Sequence, residues 1–264
     1  MNHHDLMYLA DLNLAESLRE IARWRITSEI IEKEDVLFVA GGDNTPMTNS
    51  VIRLADQASP SADEVLAQAR DFFEKKKVGY SVHIRRHSDT DLEDLCRSQK
   101  MALISEAPGM VIQEPVRISA LPAGAMIIPV EKPSGAADFA AVVIDSYQSL
   151  GLAKETAAFM FETPERVLRP YNYCVVAYLD EKTVSAAMII LSHSIAGVYW
   201  VGTLEGARKK GLGQACTAMV TNEAFRRGAA AVILQASQFG EPIYRRLGFH
   251  EFTRYPWYMR FYRG

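Results

Sequence analysis

The run VGTLEGARKKGLGQACTAMV, residues 201–220, constrains this chain more than any other stretch. It reads as the end of an apolar strand, a short basic glycine loop and the start of a helix. Leu212, Ala215, Cys216, Met219, Val220 and Ala224 fall on one helical face, so the helix packs on a sheet and its first turn is held rigidly. Arg226 and Arg227 sit in its last turn, and Gly228 closes it. Gly211 and Gly213 let backbone N–H groups approach a ligand with no Cβ in the way. The unpaired N–H groups and positive dipole end of the helix favour an anion, as do Arg208, Lys209 and Lys210. A phosphate ligand is the functional reading; a capped turn carrying a solvated basic run is the structural one.

The identity of that phosphate narrows by exclusion. No GxxxxGK[ST] run is present, which excludes a nucleotide P-loop, and the third glycine place of a dinucleotide GxGxxG is Cys216. A net charge of -3 over 264 residues argues against a general nucleic-acid binder, so the basic loop is a local feature suited to a small anion. Cys96, Cys174 and Cys216 show neither a CxxC pair nor zinc spacing, and His3 and His4 have no partner at ligand spacing, so no metal is expected. The N-terminus lacks the basic and apolar regions of a signal peptide, and no apolar run approaches a membrane span. A reduced, cytoplasmic setting is the expectation, with no membrane partner.

Along the chain, helical spacing covers the first ~33 residues, followed by strands in DVLFVAGG and MTNSVIRLA. SPSADEVLAQARDFFEKKK is a helix with a Ser or Asp cap, acids in its first turn and lysines in its last. VGYSVHIRR, DTDLEDLCRSQKM and ALISEAPGMVIQ read as strand, helix and strand. Residues 114–124 are turn-rich and form the junction. Beyond them the order is β-α-α-β-β-β-α-β-α-β, with turns between YNYCVVAYLD, TVSAAMIILSHS and AGVYWVGTL short enough for hairpins. The halves echo each other: EKKKVGYSVHI matches AFRRGAAAVIL in pattern, and EDLCRSQKMALISEAP matches EPIYRRLGFHEFTRYP, with Pro108 facing Pro256.

Taken together, VGTL before the loop, LQAS on the next strand and EPIYRRLGF on the next helix resemble the GCN5-related N-acetyltransferase (GNAT) family, over residues ~125–264. The resemblance implies a mixed α/β acyl-CoA acyltransferase fold in two tandem domains: a shortened, degenerate domain (1–113), a linker (114–124) and a catalytic domain (125–264). It implies that Val201, Gly202, Thr203 and Leu204 lie on a splayed strand whose backbone pairs with the pantetheine arm of acetyl-CoA, one N–H polarising the thioester carbonyl. It implies that Arg208, Lys209, Lys210, Gly211, Leu212 and Gly213 wrap the CoA pyrophosphate, and that Tyr244 lies beside the CoA sulfur. Family members often carry Pro-Glu after Thr-Leu; this chain has Glu205-Gly206.

Moving an acetyl group from a thioester to an amine requires a neutral amine, a polarised carbonyl and a proton for the leaving thiolate. Strand N–H donors supply the second, and Tyr244 the third as general acid, unless it only packs its short helix. Ser237 either bonds the cosubstrate or caps a turn. Glu205, Glu241 and His193 read as surface residues rather than bases, and no carboxylate precedes Glu205 on its strand. Tyr199, Trp200, Trp257 and Tyr258 line an acceptor pocket or the core. Between MTNSVIRLA and its helix the N-terminal half carries DQASPSADE, where Asp63 and Glu64 would repel a pyrophosphate. The expected activity is transfer from acetyl-CoA to a small-molecule or peptide amine, with a non-catalytic acyl-CoA-binding module as the alternative. A homodimer stays open.

Overall fold

The structure, a computed structural model, describes residues 2–55 and 59–262. It divides into two compact units. The first holds the residues up to Gly109, the stretch Gln235–Gln238 and the chain from Glu251 onward; the second holds Met110–Leu234 and Phe239–His250.

The first unit comprises α1 (His3–Arg23), β1 (Glu29–Lys33), β2 (Val36–Ala40), β3 (Ser50–Arg53), α2 (Ala62–Glu74), β4 (Tyr80–His83), α3 (Thr90–Ser98) and most of β5 (Ala102–Ile112). The second has β6 (Ala125–Pro129), α4 (Pro133–Ser146), α5 (Lys154–Met160), β7 (Asn172–Leu179), β8 (Lys182–Ser192), β9 (Ile195–Thr203), α6 (Leu212–Arg226), β10 (Val232–Gln235) and α7 (Glu241–Leu247). The last strand, β11 (His250–Arg260), belongs to the first unit from Glu251 and pairs antiparallel with β4, Trp257 opposite His83. The expected boundary kept all of 125–264 in one domain; instead the C-terminal strand completes the sheet of the other unit, in the order β1-β2-β3-β4-β11-β5.

Each unit repeats one motif. Three antiparallel strands, β1-β2-β3 or β7-β8-β9, lead through a crossover helix to a parallel strand, β4 or β10. Two-residue turns join β1 to β2, β7 to β8 and β8 to β9, with Glu34-Asp35, Asp180-Glu181 and His193-Ser194 all at positive φ, whereas residues 41–49 join β2 to β3. That backbone twist matches the flanking strands. The two prolines singled out in the sequence make equivalent bonds: the Pro256 carbonyl accepts from the Ile84 N–H, and the Pro108 carbonyl from the Ala236 N–H, each at 2.9 Å.

In the first unit β2 is buried on both faces, as its unbroken apolar run requires. Val36 and Phe38 pack with Val65, Leu66 and Phe73 of α2 on one face, and Leu37 and Val39 with Leu14 and Ala15 of α1 on the other. α1 ends at Arg23, short of the expected ~33 residues, because Ile30 and Ile31 lie on β1 rather than continuing the helical face. His83 stacks on Trp257 at 5.6 Å, and burial pulls its imidazole down to about 4. The neutral ring is therefore favoured by folding, so the stability it confers is present above pH ~6.5 and is lost as the pH falls toward 4. Its half-buried site limits this to about 1–2 kcal/mol. Thermal melts of His83→Gln should show a smaller loss of stability than the parent between pH 6.5 and 4; equal losses would remove His83 from the acid response.

Candidate functional site

The site is built around β9. Opposite Ala187 of β8 stand two residues of β9, because the register slips between Ala186↔Gly202 and Met188↔Tyr199. Trp200 absorbs the extra residue at φ +52, so β9 bulges there. At Gly202 a Cβ would run into Ser146 Oγ, so only glycine lets the end of α4 reach the strand. Along its other edge β9 pairs with β10 only through Ala196 and Gly197 among the described residues. From Val198 to Thr203 no strand pairs with that edge among the described residues, a length of about 20 Å at strand rise. The expected splayed segment, Val201 to Thr203, lies on it.

A short 3-10 turn, Glu205–Ala207, leads to the glycine loop. Gly211, with φ +77, stands at the N-cap of α6 and offers no side chain to bond the N–H groups of its first turn. The first helical bond runs from Ala215 to Gly211, at 2.9 Å. A Cβ on Gly211 would face open space, whereas one on Gly213 would sit 2.9 Å from Thr203 Oγ1. The two glycines thus differ in purpose: Gly211 supplies the left-handed turn and Gly213 the close approach of helix to strand. Lys209 and Lys210 are exposed beside the uncapped turn. Arg208 is differently engaged, donating to the Thr203 carbonyl (3.2 Å) and to Ser149 Oγ (2.9 Å). Its guanidinium ties the loop to the turn after α4.

Tyr244 is buried on α7, its ring 6.0 Å from Phe249, and burial pushes its phenol well above the ordinary tyrosine range. A second tyrosine stands near it. Tyr147, the first residue after α4, accepts a hydrogen bond from the Val201 backbone N–H, and burial, then the neighbouring Tyr244, raises its phenol too. Its ring lies 5.0 Å from Trp200, which also meets Phe161 edge-on at 5.4 Å. Tyr147 escaped the sequence reading because DSYQSLG continues the helical pattern and nothing in the spacing marks the bulge it meets.

The remaining candidates separate. Glu241 pairs with Arg245 at 2.8 Å, Glu205 is exposed, and His193 lies in the β8–β9 turn, at the end of β9 remote from Val201. Ser237 belongs to the stretch that clusters with the first unit. So do Trp257, against His83, and Tyr258, whose hydroxyl accepts from Arg97 at 2.9 Å; neither joins Tyr199 and Trp200 in the second unit. No group of three metal-ligating side chains occurs among the described residues. Nor is any described helix long and apolar enough to cross a membrane.

The first unit presents a different arrangement at the corresponding places. β3 pairs with β4 through Ser50, Val51 and Ile52, nearly its whole length. The start of α2 is closed by its own side chains, Ser61 and Glu64 forming a reciprocal capping box. Those bonds hold the Glu64 carboxyl below its usual range. Residues 56–58 of the loop lie outside the described residues. Beyond the ends of β3 and β4, Asp89 receives Arg53 Nε at 2.8 Å and Arg85 Nε at 2.8 Å, all three side chains fully buried or nearly so.

Residues 143–255 match the family model described as an acetyltransferase (GNAT) domain. Among solved structures, the chain is similar to a GCN5-related N-acetyltransferase from Kribbella flavida at TM-score 0.74 and 20% identity, over 95% of this chain and 94% of that one. A GCN5-related N-acetyltransferase from Sphaerobacter thermophilus follows at 0.64 and 16%, over 94% and 85%. A tandem GNAT protein from the clavulanic acid biosynthesis pathway aligns at 0.62 and 12%, over 87% and 79%. At these identities the likeness is one of fold. No curated protein matches the chain.

Proposed function

We propose that the chain is a GNAT-type acetyltransferase, on the match of residues 143–255 to that domain and the likeness of fold, and that it moves the acetyl group of acetyl-CoA to an amine by direct attack on the thioester. The observation that carries the reading is the uncapped start of α6 behind a left-handed Gly211, with Lys209 and Lys210 exposed beside it. Its N–H groups and dipole suit a pyrophosphate. The residues fit the cosubstrate: Lys209, Lys210, Gly211, Leu212 and Gly213 would hold its phosphates, and the open edge of β9 its extended arm. Arg208 orders this loop. Acetyl-CoA would supply an acyl group already activated as a thioester. Val201 would aim a backbone N–H at the acyl oxygen, and Tyr244 would hold the proton destined for the sulfur. No metal enters this scheme, and a cytoplasmic setting suits it.

An amine of pKa about 10 is mostly protonated at neutral pH, so attack requires that it lose a proton. The engagement of Glu241 with Arg245 and the exposure of Glu205 leave water, or an acceptor of low pKa, for that role. The same feature favours the second reading, an acyl-CoA-binding module without catalysis. Release of free CoA thiol across a panel of amines separates the two: no release with any amine would leave the binding module.

We read the first unit as a degenerate sibling that binds no CoA. Paired strands, a self-capped α2 and a buried ion cluster support that view. Calorimetry should therefore find one CoA per chain. Gly211→Asp places a strained side chain and a negative charge at the phosphate position, and should weaken CoA binding at least tenfold, roughly, given two effects near 1 kcal/mol each. Unchanged affinity would remove the loop from the site, and two CoA per chain would overturn the reading of the first unit.

A further inference from the structure

Tyr147 occupies the one backbone group that the proposed chemistry needs most. Val201 lies between the bulge residue Trp200 and Gly202, where a Cβ would stand 3.7 Å from the Tyr147 ring, and its N–H faces the Tyr147 hydroxyl as donor. The position of that hydroxyl is fixed from two sides. α4 ends at Ser146, whose Oγ fills the space a Cβ would take at Gly202, and this brings Tyr147 to the level of the bulge. The Tyr147 ring then rests against Trp200 at 5.0 Å, and Trp200 against Phe161.

Resting on the reading that the Val201 N–H polarises the acyl carbonyl, we infer that Tyr147 is a placeholder for the acyl oxygen. Its hydroxyl holds the donor N–H and is displaced by a thioester carbonyl but not by a ligand lacking one. A neutral phenol suits this role, because it satisfies the N–H without bringing a charge to the acyl site. Burial and the nearby Tyr244 phenol keep Tyr147 protonated. The consequence is selective: Tyr147 competes with acetyl-CoA and leaves the binding of CoA itself untouched.

The test compares three ligands by calorimetry on the full chain: CoA, S-ethyl-CoA and acetyl-CoA. S-ethyl-CoA has nearly the shape of acetyl-CoA without the carbonyl oxygen. Tyr147→Phe keeps the ring on Trp200 and removes only the hydroxyl. Net hydrogen-bond differences of this kind correspond to about three- to tenfold in affinity. Acetyl-CoA should bind the variant tighter than the parent by about that factor, with CoA and S-ethyl-CoA unchanged. Equal acetyl-CoA affinity in the two proteins would overturn the placeholder. Weaker acetyl-CoA binding in the variant would also overturn it, and would make Tyr147 a donor to the acyl oxygen instead. Tightening of all three ligands would reduce the effect to space alone. If the parent binds none of the three, the acyltransferase reading falls and the placeholder with it; if CoA binds normally and only the ratio fails to move, the placeholder alone falls.

Discussion

Asp89→Ala should lower the melting temperature by roughly 10 °C, the largest stability effect expected of any single substitution in the first unit. Asp89 is fully buried and accepts from Arg53 Nε (2.8 Å), Arg85 Nε (2.8 Å), Arg85 Nη2 (2.9 Å) and the Arg85 backbone N–H (3.0 Å). Burial pulls both guanidiniums down, yet their bonds to carboxylates hold them above the ordinary arginine range. Asp91 and Asp11 also touch the cluster, at 2.6 Å to Arg53 and 3.4 Å to Arg85. Those partners would stay after the substitution, but they leave two buried cations without the acceptor they share. Removing one member of such a cluster typically costs about 3–5 kcal/mol, a large part of a domain's total stability of about 5–15. Asp89 also stands at the N-cap of α3, but its carboxylate makes no cap bond there, so the loss falls on the two arginines. Denaturant melts measure the loss. A change below about 1 kcal/mol would mean that Asp91 and Asp11 suffice, and that the cluster does not hold the ends of β3 and β4 together.

The same cluster explains why the first unit was only partly legible in the sequence. Asp63 and Glu64 announce an anion-averse helix start, and Ser61 with Glu64 three positions on is a readable capping box. The bond from Arg53 to Asp89 carries no such signal, since the two are 36 residues apart and meet only once β3 and β4 are paired. The hairpins and the glycine loop were readable because their determinants are local: alternation, two-residue turns, and glycines before an amphipathic helix. What escaped was set by tertiary contact. The membership of β11 follows from its pairing with β4, and YPWYMRF reads equally well as a strand of either unit. The bulge at Trp200 is a register slip between two regular strands, and tryptophan gives no hint of positive φ. Tyr147 depends on that bulge and on Gly202 together. Trp257 and Tyr258 illustrate the converse: Tyr258 packs in the core of the first unit and Trp257 stacks half-buried on His83. The catalytic candidates on β9 and α7 were placed by motif, and the structure adds the neighbour that makes them testable as a pair.

Tyr244→Phe should lower kcat by about ten- to a thousandfold while leaving CoA affinity nearly unchanged. The substitution keeps the ring, its burial and its contact with Phe249, and removes only the transferable proton. General acid catalysis typically contributes about 10²–10⁴-fold, and water reaching the sulfur would recover part of the loss. The phenol is held above its ordinary value by burial, so it retains its proton throughout the working pH range. The sign follows directly: the acid form is the favoured one, and loss of the Tyr244 proton should impose no alkaline limb on the parent's rate below about pH 10. Steady-state kinetics of the two proteins, with whichever amine releases CoA thiol, decide the matter. The paired phenols make the result specific, because Tyr147 and Tyr244 are close enough to influence each other yet differ in what they touch. Tyr147→Phe should change acetyl-CoA affinity relative to CoA; Tyr244→Phe should change kcat and leave that ratio alone. Wild-type kcat in Tyr244→Phe at every pH would take Tyr244 out of the chemistry and leave its burial as its whole role.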